Sequence, residues 1–205
     1  MIDFYTAPTA NCQRVAITLA LLGLPHRVIP VDRAAGEQRR PHFLAINPAA
    51  AVPAILDRDP GLPQPLALAQ SGAILLYLAE KAGRLLPSSG APRARALQWL
   101  MQALTDVNPA ASLVFMGRHG LIPGMTAETQ GFLDARLARF LRDAEAALDG
   151  QDFLVGDLSV ADLALYPIVV HRWKDADIAA RYPRLADWAA RVAALPGVAA
   201  ILPLP

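Results

Sequence analysis

Apolar and polar positions change period along this chain. Up to about residue 83 the pattern switches repeatedly between short runs and helical stripes. Ile2 to Tyr5 reads as a short buried strand. The stretch CQRVAITLALLGLP places Val15, Leu19 and Leu22 at i, i+4 and i+7, and Gly23 and Pro25 supply a stop, so it reads as a helix. HRVIPVD, VPAILD and PLALAQ read as three further strands, with DPGLPQ as the turn before the last. RPHFLAIN is at most a short helix, and SGAILLYLAEKAG is an amphipathic helix ending at Gly83. The order is β-α-β followed by β-β-α. A strand, helix and strand at this spacing demand a parallel pair joined by a crossover helix.

LPSSGAPR, from Leu86 to Arg93, breaks the pattern and is the best boundary in the chain. The expected division is a first domain over 1–83, a linker over 84–92 and an all-helical domain over 93–205. Helices are expected at about 92–116, 126–149, 159–172 and 183–195. Pro109 should kink or interrupt the first of these. In GDLSVADLAL, Ser159 and Asp162 have the spacing of a capping box, and Leu158 and Leu163 occupy the staple positions.

Composition narrows the function classes. The chain has 205 residues, of which 54% are hydrophobic and 18% charged, so a sizeable core is available. The net charge of +1 and the scattered basic residues argue against nucleic acid as a partner. No apolar run reaches the roughly 18 residues of a membrane span, and MIDFY lacks the features of a secretory signal. A soluble protein of a reducing, cytoplasmic setting is expected, since the one cysteine, Cys12, forms no internal disulfide. His26, His42, His119 and His171 show no metal spacing, so no metal is expected.

Three stretches can carry chemistry. At AQSGAILLYLAE a strand ends at Gln70 and a helix starts at Ser71, and helix N-termini attract carboxylates and phosphates. Ser71 can cap that helix or donate to an anion. In NPAAAVPAIL, Pro53 either enters a strand in the ordinary trans form or sits in a cis bond. In YTAPTANCQRV, a turn carrying Thr9, Asn11 and Cys12 opens the first helix.

In this order these pieces resemble the cytosolic glutathione transferases. YTAPTANCQRVAITLALLGL, FLAINPAAAVPAILD and QSGAILLYLAEK are similar to the family's thioredoxin-like domain, and LSVADLALYP to its all-α C-terminal domain. Within the family, MIDFYTAPTANCQRV and EQRRPHFLAINP look closest to the bacterial Nu-class enzymes, which are glutathione-dependent disulfide-bond reductases. The resemblance implies a glutathione-dependent enzyme that reduces disulfides or peroxides, acting as a homodimer with glutathione as cosubstrate. Conjugation of glutathione to a small electrophile and a non-catalytic binding or regulatory role are the alternatives on the same fold.

The resemblance also implies roles by position. Gln70 and Ser71 would hold the γ-glutamyl end of glutathione. Val52, before the cis-proline position Pro53, would pair its backbone with the cysteinyl part. Gln38 would reach glutathione with its side chain. Asn11 and Thr9 would stabilise the glutathione sulfur. That task has a scale: lowering a thiol pKa from about 8.5 to about 6.5 raises the thiolate fraction at pH 7 from about 3% to about 75%, and needs about 2.7 kcal/mol. Departures from the family's patterns stand out. PTPNG is PTANC, so Ala10 replaces a proline and Cys12 a glycine. Gln70 replaces the Glu commoner in the Nu-type pattern. Ala51 stands where many classes carry Lys or Arg, which leaves the glycine carboxylate of glutathione without an evident partner. Cys12 sits at the resolving-cysteine place of a CxxC turn. It is either a thiol able to form a mixed disulfide or a small residue packed under the turn. Tyr5 is expected in the core, and His119 on a solvated loop or at a cleft. Phe115, Met116, Arg118 and Trp173 are expected around a second-substrate pocket between the domains.

Overall fold

The computed structural model describes residues 1–205. Four strands, β1 (Ile2–Thr6), β2 (His26–Pro30), β3 (Ala54–Asp57) and β4 (Leu66–Ala69), form one sheet in the order β2-β1-β3-β4. β1 and β2 are parallel, joined by helix α1 (Ala10–Leu22). The β1–β3 and β3–β4 pairs are antiparallel. Ile2 and Phe4 of β1 and Ile55 of β3 are buried. α1 packs against α3 (Ser71–Ala82). Its C-cap, Gly23, adopts φ 65°, a left-handed conformation that glycine enters without penalty. The short α2 (Pro41–Leu44) follows a single 3-10 turn at Glu37–Arg39 and buries Phe43 beside Val31 and Ala54. This thioredoxin-like layer precedes an all-helical region, as the alternating and then purely helical patterns predict.

The helical region runs from α4 (Gly90–Met101) through a π-helical segment (Gln102–Val107) into α5 (Asn108–Arg118). The α-helical run is thus interrupted just before Pro109, as its position predicts, by the widened turns that end at Val107, and the chain stays helical through the proline into α5. α6 (Ala127–Ala147) and α7 (Val160–His171) follow. The short α8 (Ile178–Arg181) and α10 (Val198–Ile201) flank α9 (Pro183–Ala193).

α7 is the axis of the helical region. Every residue from Val160 to Val170 is buried, as expected of a helix that is apolar on all sides. Its start is strongly fixed. Ser159 Oγ accepts from the Ala161 N–H at 3.3 Å, and the Asp162 carboxylate accepts from the Ser159 N–H at 2.9 Å. The same carboxylate accepts from the Leu154 N–H and from Trp188 Nε1, both at 2.9 Å. α7 also packs on α1 and α3, so a single apolar core crosses from the sheet into the helices. At that seam Gly72 leaves room for Leu104. A Cβ on Gly72 would lie 2.3 Å from Leu104 Cδ1.

Candidate glutathione site

The sheet brings three segments to one end of its strands. Ala54 pairs with Tyr5 on one side and with Ala69 on the other. The Thr9 turn follows β1, the Val52–Pro53 peptide precedes β3, and Gln70–Ser71 follow β4. Register alone therefore places these distant stretches side by side. The Val52–Pro53 peptide is cis. Neither backbone group of Val52 is hydrogen-bonded within the protein, which leaves a donor and an acceptor at the edge of a cleft. Asn47 stiffens the approach: its amide donates to the Ala51 carbonyl at 2.6 Å and accepts from the Ala49 N–H at 3.1 Å.

That cleft, of about 400 Å³, is lined by Thr9, Asn11, Gln38 and Val52, together with Arg33, Arg39 and Ala49 to Ala51. Four of the residues singled out by sequence thus share one wall. Gln38 Oε1 is buried without a partner, an acceptor ready for a donor. Its amide nitrogen reaches the Arg33 carbonyl at 3.4 Å. Arg33 and Arg39 were not picked out by the sequence argument, yet they place two cations beside Ala51. The loop that presents Arg33 is tied down by Asp32, which accepts from the Ala34 and Ala35 N–H groups, both at 2.9 Å.

Gln70 and Ser71 are not on that wall. Gln70 occupies the cap position of α3 but makes no capping hydrogen bond, and its φ of 69° is strained for a residue with a side chain. Of the two roles open to Ser71, capping the helix or donating to an anion, capping is not the one seen, because α3 starts at Ser71 itself. Its buried hydroxyl instead accepts from Arg14 at 3.5 Å. The first N–H groups of α3 are therefore left for an anion.

Thr9 lies between two clefts. Its Oγ1 accepts from the Cys12 N–H at 3.2 Å and caps α1, while its own proton remains available to donate. Cys12 is 1% exposed, and its Sγ accepts from the Ala7 N–H at 3.4 Å. It is packed under the turn. Tyr5 is half-buried and meets Phe43 edge to face at 5.9 Å.

The second cleft, of about 480 Å³, lies between the sheet domain and the helices. Thr9, Ala10 and Arg33 form one side; Ala111, Phe115, Met116 and Ile168 form an apolar floor; Asn108, Ser112, His171 and Arg172 complete it. Arg172 stacks on Phe115 at 4.5 Å and pairs with Asp175 at 2.9 Å. His171 Nε2 lies 2.6 Å from Gln13 Oε1. Burial, with the charge of Arg172, holds the His171 pKa below the usual 6.5, so it is neutral at pH 7. No carboxylate lines either cleft.

Phe115 and Met116 line the second cleft as expected; Arg118 and Trp173 do not. Arg118 turns away to Asp134 at 3.1 Å and to the Asp175 carbonyl, and Trp173 packs on the core. His119 is exposed against Phe115 at 4.3 Å and lines neither cleft. Nowhere do three or more His, Cys, Asp or Glu side chains gather to hold a metal ion, and no helix is long and apolar enough to cross a membrane.

Both halves of the chain match known family models: residues 10–81 the glutathione S-transferase N-terminal domain, and residues 123–202 its C-terminal domain. The chain belongs to the glutathione S-transferase family. It is 35% identical to the disulfide-bond oxidoreductase YfcG of Escherichia coli strain K12 over 199 residues, covering 96% of this chain and 92% of that one. The fold superposes on a glutathione transferase family member from Pseudomonas fluorescens, solved with two glutathione bound, with a TM-score of 0.91 and 31% identity over 100% of this chain and 93% of that one. A Pseudomonas putida glutathione transferase, solved with one glutathione disulfide per subunit, matches with a TM-score of 0.88 and 29% identity over 100% and 91%.

Proposed function

We propose that this transferase binds glutathione in the first cleft and uses its thiolate to reduce disulfides, and peroxides by the same nucleophile. One observation carries the reading. The redox turn presents a hydroxyl, Thr9, and an amide, Asn11, to the clefts, while the chain's one thiol is buried beneath them. The reacting sulfur must then come with the ligand.

The backbone of Val52 pairs with the cysteinyl unit, as an added strand pairs with a sheet edge. Gln38 meets the peptide. Gln70, Ser71 and the N-terminus of α3 hold the γ-glutamyl carboxylate. Arg33 and Arg39 hold the glycine carboxylate, which replaces the basic residue that Ala51 lacks. Thr9 and Asn11 donate hydrogen bonds to the sulfur and favour its thiolate. That thiolate attacks one sulfur of a disulfide in the second cleft. The S–S bond breaks, a mixed disulfide forms, and the leaving thiolate takes up the proton that glutathione released. A second glutathione resolves the mixed disulfide to glutathione disulfide and a free thiol.

Relatives support this choice: YfcG is a disulfide-bond oxidoreductase, and the Pseudomonas neighbours were solved with glutathione or its disulfide. The cationic rim of Arg33 and Arg172 suits an anionic disulfide, such as one carrying glutathione. The apolar floor favours a second reading, conjugation to an apolar electrophile. A homodimer, a cytoplasmic location and a role in detoxification belong to the same reading, because glutathione-driven reduction needs a reducing compartment.

The test is a side-by-side assay with glutathione and hydroxyethyl disulfide, a chloronitrobenzene or a hydroperoxide. The disulfide should turn over fastest, and Asn11→Ala should lose most of that activity. A wild-type protein active only on the chloronitrobenzene would establish conjugation instead.

A further inference from the structure

The least explained side chain in the molecule is Arg14, on α1. It is 0% exposed. A guanidinium has five N–H donors and carries a charge that is costly to bury. Here Nη1 reaches Ser71 Oγ and Nη2 reaches Asn108 Oδ1, each at the long distance of 3.5 Å. Nε has no partner at all. No Asp or Glu compensates the charge, and burial lowers its pKa to about 10, which still leaves it protonated at pH 7. Buried ions are ordinarily paired, and the one protein group that offsets this burial is the neighbouring Cys12 sulfur, so no carboxylate of the protein supplies the counter-charge.

Its neighbours show where that counter-charge belongs. Ser71 opens α3, whose N-terminus has no side-chain cap. Because Arg14 donates to Ser71 Oγ, the serine's own proton must point elsewhere. Asn108 lines the second cleft. Arg14 thus lies behind the start of α3 and the second cleft, at the seam between sheet and helices, and lines neither cleft.

We propose that Arg14 is a positioning residue for glutathione: it holds the Ser71 hydroxyl with its proton turned to the γ-glutamyl carboxylate, and that carboxylate supplies the counter-charge Arg14 lacks. This deepens the glutathione reading and rests on its placement of the γ-glutamyl end at α3. Arginine suits the task, since its fork can serve Ser71 and Asn108 at once.

The experiment is calorimetric titration of the full chain with reduced glutathione and with an analogue whose γ-glutamyl α-carboxylate is a carboxamide. Wild type should prefer the acid by roughly tenfold or more, the scale of a charged hydrogen bond. Arg14→Met should bring that preference close to one while the ligand-free Tm stays level or rises, because an unpaired buried charge has been removed. A purely structural arginine would instead lower Tm and leave the preference intact. Arg14→Lys, which keeps the charge, should regain part of the preference. Asn108→Asp gives Arg14 an internal carboxylate, so the preference should fall as Tm rises; this arm decides the matter if Arg14→Met does not fold. A wild type that binds both ligands equally would overturn the placement at α3, and this inference with it. A preference that survives in Arg14→Met or in Asn108→Asp would overturn the role of Arg14 alone.

Discussion

The Thr9 hydroxyl accepts a hydrogen bond from the Cys12 backbone N–H at 3.2 Å. The residue at the redox place of the turn is therefore also the cap of α1, and one substitution tests both roles. Thr9→Ala should cost about 1 kcal/mol of stability through the lost cap. It should also lower disulfide turnover by roughly 10- to 150-fold through the lost donor to the thiolate. Thr9→Ser should keep both. Melting curves and steady-state kinetics on the two variants separate the effects, and a Thr9→Ala enzyme of normal turnover would exclude Thr9 from the chemistry.

Cys12 should be dispensable for catalysis. It is 1% exposed and packed under the Thr9 turn. Cys12→Ala should lose about 1 kcal/mol to a small cavity and retain most turnover. Intact mass of the wild type incubated with glutathione disulfide should show no adduct. An inactive, folded Cys12→Ala together with a glutathione adduct on the wild type would make the protein a monothiol enzyme.

Gln70 holds a backbone conformation that favours glycine, φ 69° and ψ 112°. Gln70→Gly should relieve about 1–3 kcal/mol of strain, yet weaken glutathione binding because the side chain is lost. Higher Tm with lower affinity is the expected pair. Affinity equal to wild type would show that the side chain does not touch the ligand.

Two buried carboxylates set the acid limit of stability. Burial would raise the Asp3 pKa, but the hydrogen bonds and charges of Arg27 and Arg58 outweigh it and hold it below 3.8. Burial likewise opposes Lys81, Tyr77 and the Asp59 N–H at Asp57, and again the partners prevail. A depressed pKa in the fold contributes stability that is present above the unfolded value and lost as pH falls through the folded one. Tm should hold from pH 7 to about 5 and fall steeply below about 4. In Asp3→Asn and Asp57→Asn proteins the loss below pH 4 should be shallower, from a lower starting Tm.

The transferase should be a dimer in solution. Leu62 of the sheet domain and Met101 of α4 are exposed apolar side chains that such an interface would cover. Light scattering at micromolar concentration should give twice the chain mass, and a clean monomer mass would refute the pairing.

Local sequence was enough to place the four strands and the long helices, but not the π segment at Gln102–Val107 or the short α8 and α10. The Val15, Leu19 and Leu22 stripe, the Gly23 and Gly83 stops and the Ser159–Asp162 box are short-range signals, and a helix or its cap needs only a few adjacent residues to form. The resemblance added the expected roles of Thr9, Asn11, Gln38, Val52, Gln70 and Ser71, which periodicity alone does not carry. Tertiary structure decided the rest. Only sheet register puts Tyr5, Ala54 and Ala69 in one row and so brings three segments to one end of the strands. Pro109 reads locally as an interruption, and only the structure shows its form, a π segment before α5 that keeps the chain helical. Arg33 and Arg39 look like ordinary surface charges until the loop from Asp32 folds them over Ala51. Arg14 looks like the polar face of an amphipathic helix, since a stripe shows which side faces the sheet but not that a second domain covers the other side. Once α7 and the start of α5 close over α1, that arginine is buried beside Ser71 with no carboxylate of its own. Long-range closure of this kind depends on contacts 57 and 94 residues apart, which no local window contains.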